Sequence, residues 1–180
     1  MTLKKVEATL LTKKAIFAGS FDPPTWGHLD IIARGSGMFE ELRVVLARNI
    51  RKETIFSPEE RQEMLQRLVA DMGLSNVVID LCGGLLADYA VEHSCKVLLR
   101  SVRTLTEIPY EQGMATMNQR LQPTLETIVM FSKPELQDIS SSTVRELLAW
   151  RRLPPDIVPE LVRKELEKRY GPLLQQAEIQ

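Results

Sequence analysis

Residues 15–28 read Ala15-Ile16-Phe17-Ala18-Gly19-Ser20-Phe21-Asp22-Pro23-Pro24-Thr25-Trp26-Gly27-His28. A short apolar run ends in Gly-Ser, a turn follows, and a Gly-His pair opens a helical pattern. That order describes a strand feeding a glycine-containing loop into a helix N-terminus, where free main-chain N–H groups and the helix dipole can hold phosphate. Gly19 and Gly27 allow close backbone approach, and His28 can hydrogen-bond a phosphoryl group and stabilise developing charge. An ordinary strand-turn-helix, with glycines that serve only the turn, fits the same residues. The rest of the chain has to discriminate.

Beyond this stretch, strands and helices alternate. Lys14–Phe17 opens as a strand, and His28–Phe39 places Leu29, Ile32, Ala33 and Met38 near one helical face. Leu42–Ala47 is a second strand, with a polar loop running on through Thr54. Ser57-Pro58-Glu59-Glu60 is a helix start, with a capping serine, proline at the first helical position and acids in the first turn. That helix runs to Gly73. Strands at Asn76–Leu81, Lys96–Arg100 and Thr127–Phe131 follow, with helices at Leu85–Glu92, Tyr110–Leu121, after Ser140, and at Pro159–Arg169. The pattern predicts an α/β fold: a Rossmann-like, doubly wound, five-stranded, mainly parallel sheet with helices on both faces and a C-terminal helical segment. Residues 1–13 read as a loose leader, 14–170 as a single domain and 171–180 as a tail.

The chain of 180 residues has 44% hydrophobic residues, and 23 basic against 24 acidic residues leave a net charge of −1. That balance gives no nucleic-acid footprint. No apolar run reaches the roughly 20 residues of a membrane span, and residues 1–7 lack the apolar stretch of a signal peptide. Cys82 and Cys95 lie in apolar patterns without a C-x-x-C pair and read as buried free thiols. These features predict a soluble, cytoplasmic protein with neither nucleic acid nor membrane as partner. His93, after an amphipathic helix, reads as a surface residue.

In open parallel sheets, ligands bind outside the carboxyl ends of the strands. That rim collects Ser20 and His28 after the first strand, Arg48 to Lys52 after the second, and Gly83-Gly84 after the third. Arg100 and Arg103 follow the fourth strand, and Lys133 with the Ser140–Ser142 cap follows the fifth. Cations and donors gathered at one rim of a near-neutral protein point to a polyphosphate or nucleotide.

The first loop, with Thr25-Trp26-Gly27-His28, resembles the signature of the nucleotidylyltransferase superfamily. Ile139-Ser140-Ser141-Ser142-Thr143-Val144-Arg145 resembles its second motif, an I-S-S-[ST] helix start. Within the superfamily, the chain most resembles the bacterial phosphopantetheine adenylyltransferases over residues 14–168. Thr25 stands where nicotinate-mononucleotide adenylyltransferases usually carry a second histidine. Lys52 precedes Phe56-Ser57-Pro58-Glu59-Glu60-Arg61, similar to the family's K-x-x-x-F-[ST]-x-x-E-R segment. Val97–Arg103 and Tyr110-Glu111 with Met117-Asn118 are similar to its V-x-[IV]-R-G-[LIV]-R strand end and its Y-E-x-x-x-x-x-M-N helix. Three positions depart from the pattern: Ser101 replaces a glycine, Pro109 interrupts an acidic-aromatic segment, and Ala149–Arg152 lacks a usual glycine turn.

The resemblance implies attack of the phosphate of 4′-phosphopantetheine on the α-phosphorus of ATP, giving dephospho-coenzyme A and pyrophosphate. His28 would bond the α-phosphate in the transition state, with Lys52 and Arg103 as the other catalytic groups. Lys52 and Arg100 would clamp the acceptor phosphate, Ser20 would bridge the two substrates, and Leu86 and Asn118 would line the pantetheine arm. Arg103 would hold the β- and γ-phosphates. Phe21, Ser101, Val102, Glu111 (to the sugar), Leu136, Gln137, Asp138, Ile139 and the Ser140–Ser142 cap would complete the ATP site. Mg²⁺ would travel on the phosphates, with no protein metal cage. A homohexamer and feedback by coenzyme A are also implied. Two alternatives are another nucleotidylyltransferase, such as one acting on nicotinate mononucleotide, and a non-catalytic nucleotide-binding module. Thr25 and the Arg100/Arg103 pair weigh against the first, and intact Ser20, His28, Lys52 and Arg103 against the second.

Overall fold

The computed structural model describes residues 14–47 and 54–173. Lys52, with Arg48 and the rest of its loop, the leader 1–13 and the tail beyond Leu173 lie outside the described residues. Five strands, β1 (Lys14–Gly19), β2 (Glu41–Ala47), β3 (Val77–Cys82), β4 (Val97–Val102) and β5 (Glu126–Phe131), form one sheet. All pairings are parallel, in the order β3-β2-β1-β4-β5. The order reverses between β1 and β4, and a crevice opens there at the strands' carboxyl ends.

Helices α1 (Trp26–Ser36), α2 (Pro58–Asp71), α5 (Ser141–Ala149) and α6 (Glu160–Tyr170) share one core with the sheet. In it Leu29, Ile32, Leu65, Val144, Val162 and Leu166 meet Ala15, Phe17, Leu42, Val44 and Leu99. Alternate strand residues Ile16, Ala18, Val45 and Leu98 face a second, smaller core with Tyr89 and Ala90 of α3 (Leu86–Glu92). The period-2 reversal of strand side chains makes two cores from one sheet, and each fully buried Leu or Ile contributes about 1.5–3 kcal/mol. Helix α4 (Ile108–Leu121) follows a 3₁₀ turn at Leu105–Glu107 and buries only Glu111. A second 3₁₀ turn spans Pro134–Leu136.

Several boundaries differ from those expected. α1 starts at Trp26 and ends at Ser36, so Met38 lies beyond it and is exposed. β4 runs on past Arg100 to Val102, so Ser101 is a strand residue rather than a loop residue. Pro109 sits in the first turn of α4, where a missing N–H costs nothing. Ser57 caps α2 as expected, accepting the Glu60 N–H at 3.2 Å while the Glu60 carboxylate accepts the Ser57 N–H at 2.7 Å. Cys82 and Cys95 are buried and free. His93 is half-buried, its ring 4.1 Å from that of Tyr89.

Candidate active site

A cleft of about 510 Å³ lies at the reversal point. The N-termini of α1 and α5 both open on it, through Thr25, Gly27 and His28 on one side and Ile139 to Ser142 on the other. The two ends pack closely: a Cβ on Gly27 would sit 3.3 Å from the Ile139 carbonyl. A Cβ on Gly19 would meet the Phe21 ring at 3.0 Å. Both glycines therefore make room for neighbouring protein, and Gly27 also lines the cleft. Phe21 is fully buried and holds a left-handed φ of 48°. Its ring packs edge-on to Phe17 at 5.5 Å and His28 at 5.0 Å.

His28 is the third residue of α1, and its Nδ1 accepts the main-chain N–H of the cap residue Thr25 at 3.0 Å. The Thr25 hydroxyl lies at the same distance and donates to the same atom. An imidazole nitrogen that accepts an N–H carries no proton, so the neutral ring bears its hydrogen on Nε2. Withdrawal from water, then the Arg103 charge, lower the His28 pKa to about 4. At neutral pH the cleft thus meets an uncharged Nε2–H donor.

Arginines supply the positive charge. Arg100 forms a fork with Glu111, Nε to Oε2 at 2.7 Å and Nη2 to Oε1 at 2.9 Å, and Nη1 donates to the Ala18 carbonyl at 2.9 Å. The pairing with Glu111 outweighs desolvation and raises the Arg100 pKa. Arg103 pairs with Glu107, which also accepts the Arg103 main-chain N–H at 2.6 Å. Burial alone would raise the Glu107 carboxyl, but the main-chain and guanidinium donors of Arg103 hold it below its ordinary value. Arg145 donates to the Asp22 carbonyl at 2.6 Å and to the Ser142 hydroxyl at 3.0 Å, tying the two sequence motifs together. Ser140 caps α5 by accepting the Thr143 N–H at 3.0 Å, and the Ser141 hydroxyl donates to the Pro23 carbonyl at 2.9 Å. The Ser141 and Ser142 N–H groups, at the very start of α5, have no acceptor inside the helix and can meet an anion.

Residues 16–147 match the cytidylyltransferase-like family model. The chain is 37% identical over 162 residues to a phosphopantetheine adenylyltransferase of Bdellovibrio bacteriovorus, covering 88% of this chain and all of that one. It is 38% identical over 158 residues to a phosphopantetheine adenylyltransferase of Dictyoglomus thermophilum, covering 88% and 95%. The chain belongs to the phosphopantetheine adenylyltransferase family. Among solved structures, its fold is similar to the Plasmodium falciparum nicotinic acid mononucleotide adenylyltransferase complexed with APC, with a TM-score of 0.62, 16% identity, and coverage of 89% and 96%. It is also similar to a bifunctional NMN adenylyltransferase/ADP ribose pyrophosphatase of Francisella tularensis, with a TM-score of 0.64, 12% identity, and coverage of 89% and 52%. These two likenesses concern the fold alone.

For this family member, the cleft brings together Ser20, His28, Arg100, Ser101, Arg103, Glu111, Ile139 and the Ser140–Ser142 cap. Phe21 and Val102 are fully buried and do not line the cleft. Leu86, Asn118, Leu136, Gln137 and Asp138 do not line the cleft. Glu111 is buried in its pairing with Arg100. Lys133 pairs at 3.1 Å with Asp30 of α1 and does not line the cleft. Thr25, Thr106, Glu107, Tyr110, Ser132 and Arg145 also line the cleft and were not among the expected site residues. The three-residue spacing of Thr25 and His28 and the four-residue spacing of Arg103 and Glu107 carry the signal for two of these interactions. No cluster of three metal-ligating side chains occurs among the described residues. No described helix is long and apolar enough to cross a membrane.

Proposed function

We propose that the cleft transfers the adenylyl group of ATP to 4′-phosphopantetheine, giving dephospho-coenzyme A and pyrophosphate. The observation that carries this reading is the His28 Nε2–H donor between two helix N-termini and a set of arginines, in a chain with whole-length relatives named phosphopantetheine adenylyltransferase. A phosphate oxygen of the acceptor attacks the α-phosphorus in line. The new P–O bond forms as the bond to the β-phosphate oxygen breaks, and pyrophosphate carries away the electron pair. Such a reaction needs positioning and charge neutralisation rather than a covalent intermediate.

His28 donates to an α-phosphate oxygen. Arg103 exchanges Glu107 for the β- and γ-phosphates, to which its planar fork is suited. The free N–H groups of α5 bind the same tail. Arg100 retains N–H groups beyond those given to Glu111 and Ala18, and these meet the acceptor phosphate together with Lys52. Ser20 bridges the two substrates. Mg²⁺ would take its ligands from phosphate oxygens and water, since no cluster of three metal-ligating side chains occurs among the described residues. Coenzyme A, which holds both a pantetheine arm and an adenine nucleotide, would compete for the site.

We also infer a homo-oligomer, a hexamer by family resemblance. Tyr110, Met114, Met117 and Leu121 form an exposed apolar stripe on α4, and Ile128, Val129 and Phe131 of the edge strand β5 are exposed as well. Contiguous apolar surface of this kind marks an interaction face, and another copy of the chain is its proposed occupant. Light scattering coupled to size exclusion tests this: a monomer at micromolar concentration would refute it. The function itself is tested by pyrophosphate release from ATP with phosphopantetheine as the sole added acceptor. Release with nicotinate mononucleotide instead would overturn the acceptor, and binding without turnover would overturn the reaction.

A further inference from the structure

Two arginine–glutamate pairs line the cleft, and they differ in kind. The Arg100–Glu111 fork is buried on its acidic side, whereas Arg103 and Glu107 are both partly exposed. Glu107 ends the 3₁₀ turn that leads into α4, and its carboxylate makes no capping bond to that helix. It turns back onto Arg103 instead. Oε2 accepts the Arg103 main-chain N–H at 2.6 Å, and Oε1 accepts Nε–H at 3.1 Å together with the Nη2 donor. A main-chain N–H beside a guanidinium fork is a donor set that suits a phosphoryl group as well as a carboxylate.

Glu107 thus sits on Arg103 as an anion of the protein's own. Burial alone would raise its carboxyl, but the Arg103 donors hold it below its ordinary value, so it is charged at neutral pH. Burial, then the Arg103 charge, lower the His28 pKa, so this arginine lies within electrostatic reach of the donor for the α-phosphate. A ligand with no phosphate for Arg103 leaves the pair intact. One with a β–γ tail has to displace the carboxylate, and its apparent affinity falls with the fraction of molecules in which Arg103 is released. Glu107 stands at the N-terminus of α4, where the helix dipole favours a negative charge even after Arg103 lets go. We propose that Glu107 is a built-in competitor for the triphosphate subsite: it holds Arg103 until the β- and γ-phosphates of ATP take its place, and it returns to help expel pyrophosphate. It acts through Arg103 and touches no reacting atom. This rests on the adenylyl-transfer reading above.

Titration calorimetry with pyrophosphate, ATP and AMP tests it, on the wild type and on Glu107→Gln, which keeps the side chain's length and removes its charge. Glu107→Gln should bind pyrophosphate and ATP about fivefold more tightly, the fold-change that matches an exposed ion pair at the top of its usual range. AMP affinity should change by less than about twofold, because AMP does not discriminate between the paired and released states. In an Arg103→Ala background the gain from Glu107→Gln should vanish. Unchanged or weaker binding of pyrophosphate and ATP overturns the proposal, since a glutamate that merely positions Arg103 predicts a loss. So does an equal gain for AMP, or a gain that persists without Arg103, because either one signals a general charge effect. If Glu107→Gln fails to fold, the wild type decides: the ¹³C signal of the Glu107 carboxyl should move on addition of pyrophosphate and not of AMP, and an unmoved signal overturns the role. A wild type that binds ATP and pyrophosphate but transfers no adenylyl group sinks the functional reading instead, while the pyrophosphate response still judges Glu107.

Discussion

The main-chain N–H of Thr25 donates to Nδ1 of His28 at 3.0 Å, so the cap of α1 also sets the tautomer of the histidine at its third position. Glu or Gln usually fills that reciprocal capping role. Here an imidazole does so, and its other nitrogen is left as a donor. The expected outcome is a ¹⁵N spectrum with an unprotonated Nδ1 and a protonated Nε2 at neutral pH. His28→Ala should keep the fold and ATP binding and lower turnover about 10²–10³-fold, the usual cost of one lost transition-state donor. Turnover within a few-fold of wild type would refute the role.

The same histidine links stability to pH. Its folded pKa of about 4 lies below the ordinary histidine value of 6.5, so the unfolded chain binds more protons between those values. The stabilisation is complete above about pH 6.5 and is lost as pH falls toward 4. Urea midpoints measured across this window should fall more steeply for the wild type than for His28→Gln. Parallel curves would mean that the ring is not held neutral.

Arg100 and Arg103 should behave differently when removed. Arg100→Ala strands a buried Glu111 carboxylate, which typically costs about 3–5 kcal/mol, and raises KM for the acceptor. Arg103 is 36% exposed and Glu107 29%, so Arg103→Ala should cost at most about 1 kcal/mol in stability while raising KM for ATP. Denaturant titration and two-substrate kinetics check this together. The same kinetic pattern in both variants would contradict the division of labour.

Ser101 lies within β4, paired with Met130, and is not among the left-handed residues Phe21, Ser94 and Arg151. Its Cβ is therefore compatible with its backbone. Ser101→Gly should change KM for ATP by less than about tenfold, or roughly 1.4 kcal/mol. A larger improvement would show that serine obstructs the nucleotide.

Arg151 holds a φ of 53° just after α5, where the sequence lacks its family's usual glycine turn. A left-handed side chain costs about 1–2 kcal/mol, and glycine loses about 0.5–1 kcal/mol through a freer unfolded chain. Arg151→Gly should therefore stabilise the protein by about 0.5–1 kcal/mol, seen as a higher melting temperature. A lower one would mean that the arginine makes compensating contacts.

Local signals carry most of the architecture. The alternation of short β-rich runs with amphipathic stretches implies a parallel sheet, because parallel strands need crossovers. Ser57-Pro58-Glu59-Glu60 and Ser140 are helix starts for reasons contained in a few adjacent residues, namely orphan N–H groups and the oxygens that satisfy them. The rim bearing Ser20, His28, Arg100 and Arg103 follows from strand ends alone. What each side chain touches does not. Arg100 meets Glu111 and Ala18, Arg61 meets Ser20, and Arg145 meets Asp22, across sequence separations that carry no periodic signal. The neutral state of His28 likewise depends on water excluded by packing and on the nearby charge of Arg103. Hydrogen-bond partners and dielectric surroundings depend on which elements the fold brings together, whereas the elements themselves arise from neighbours along the chain.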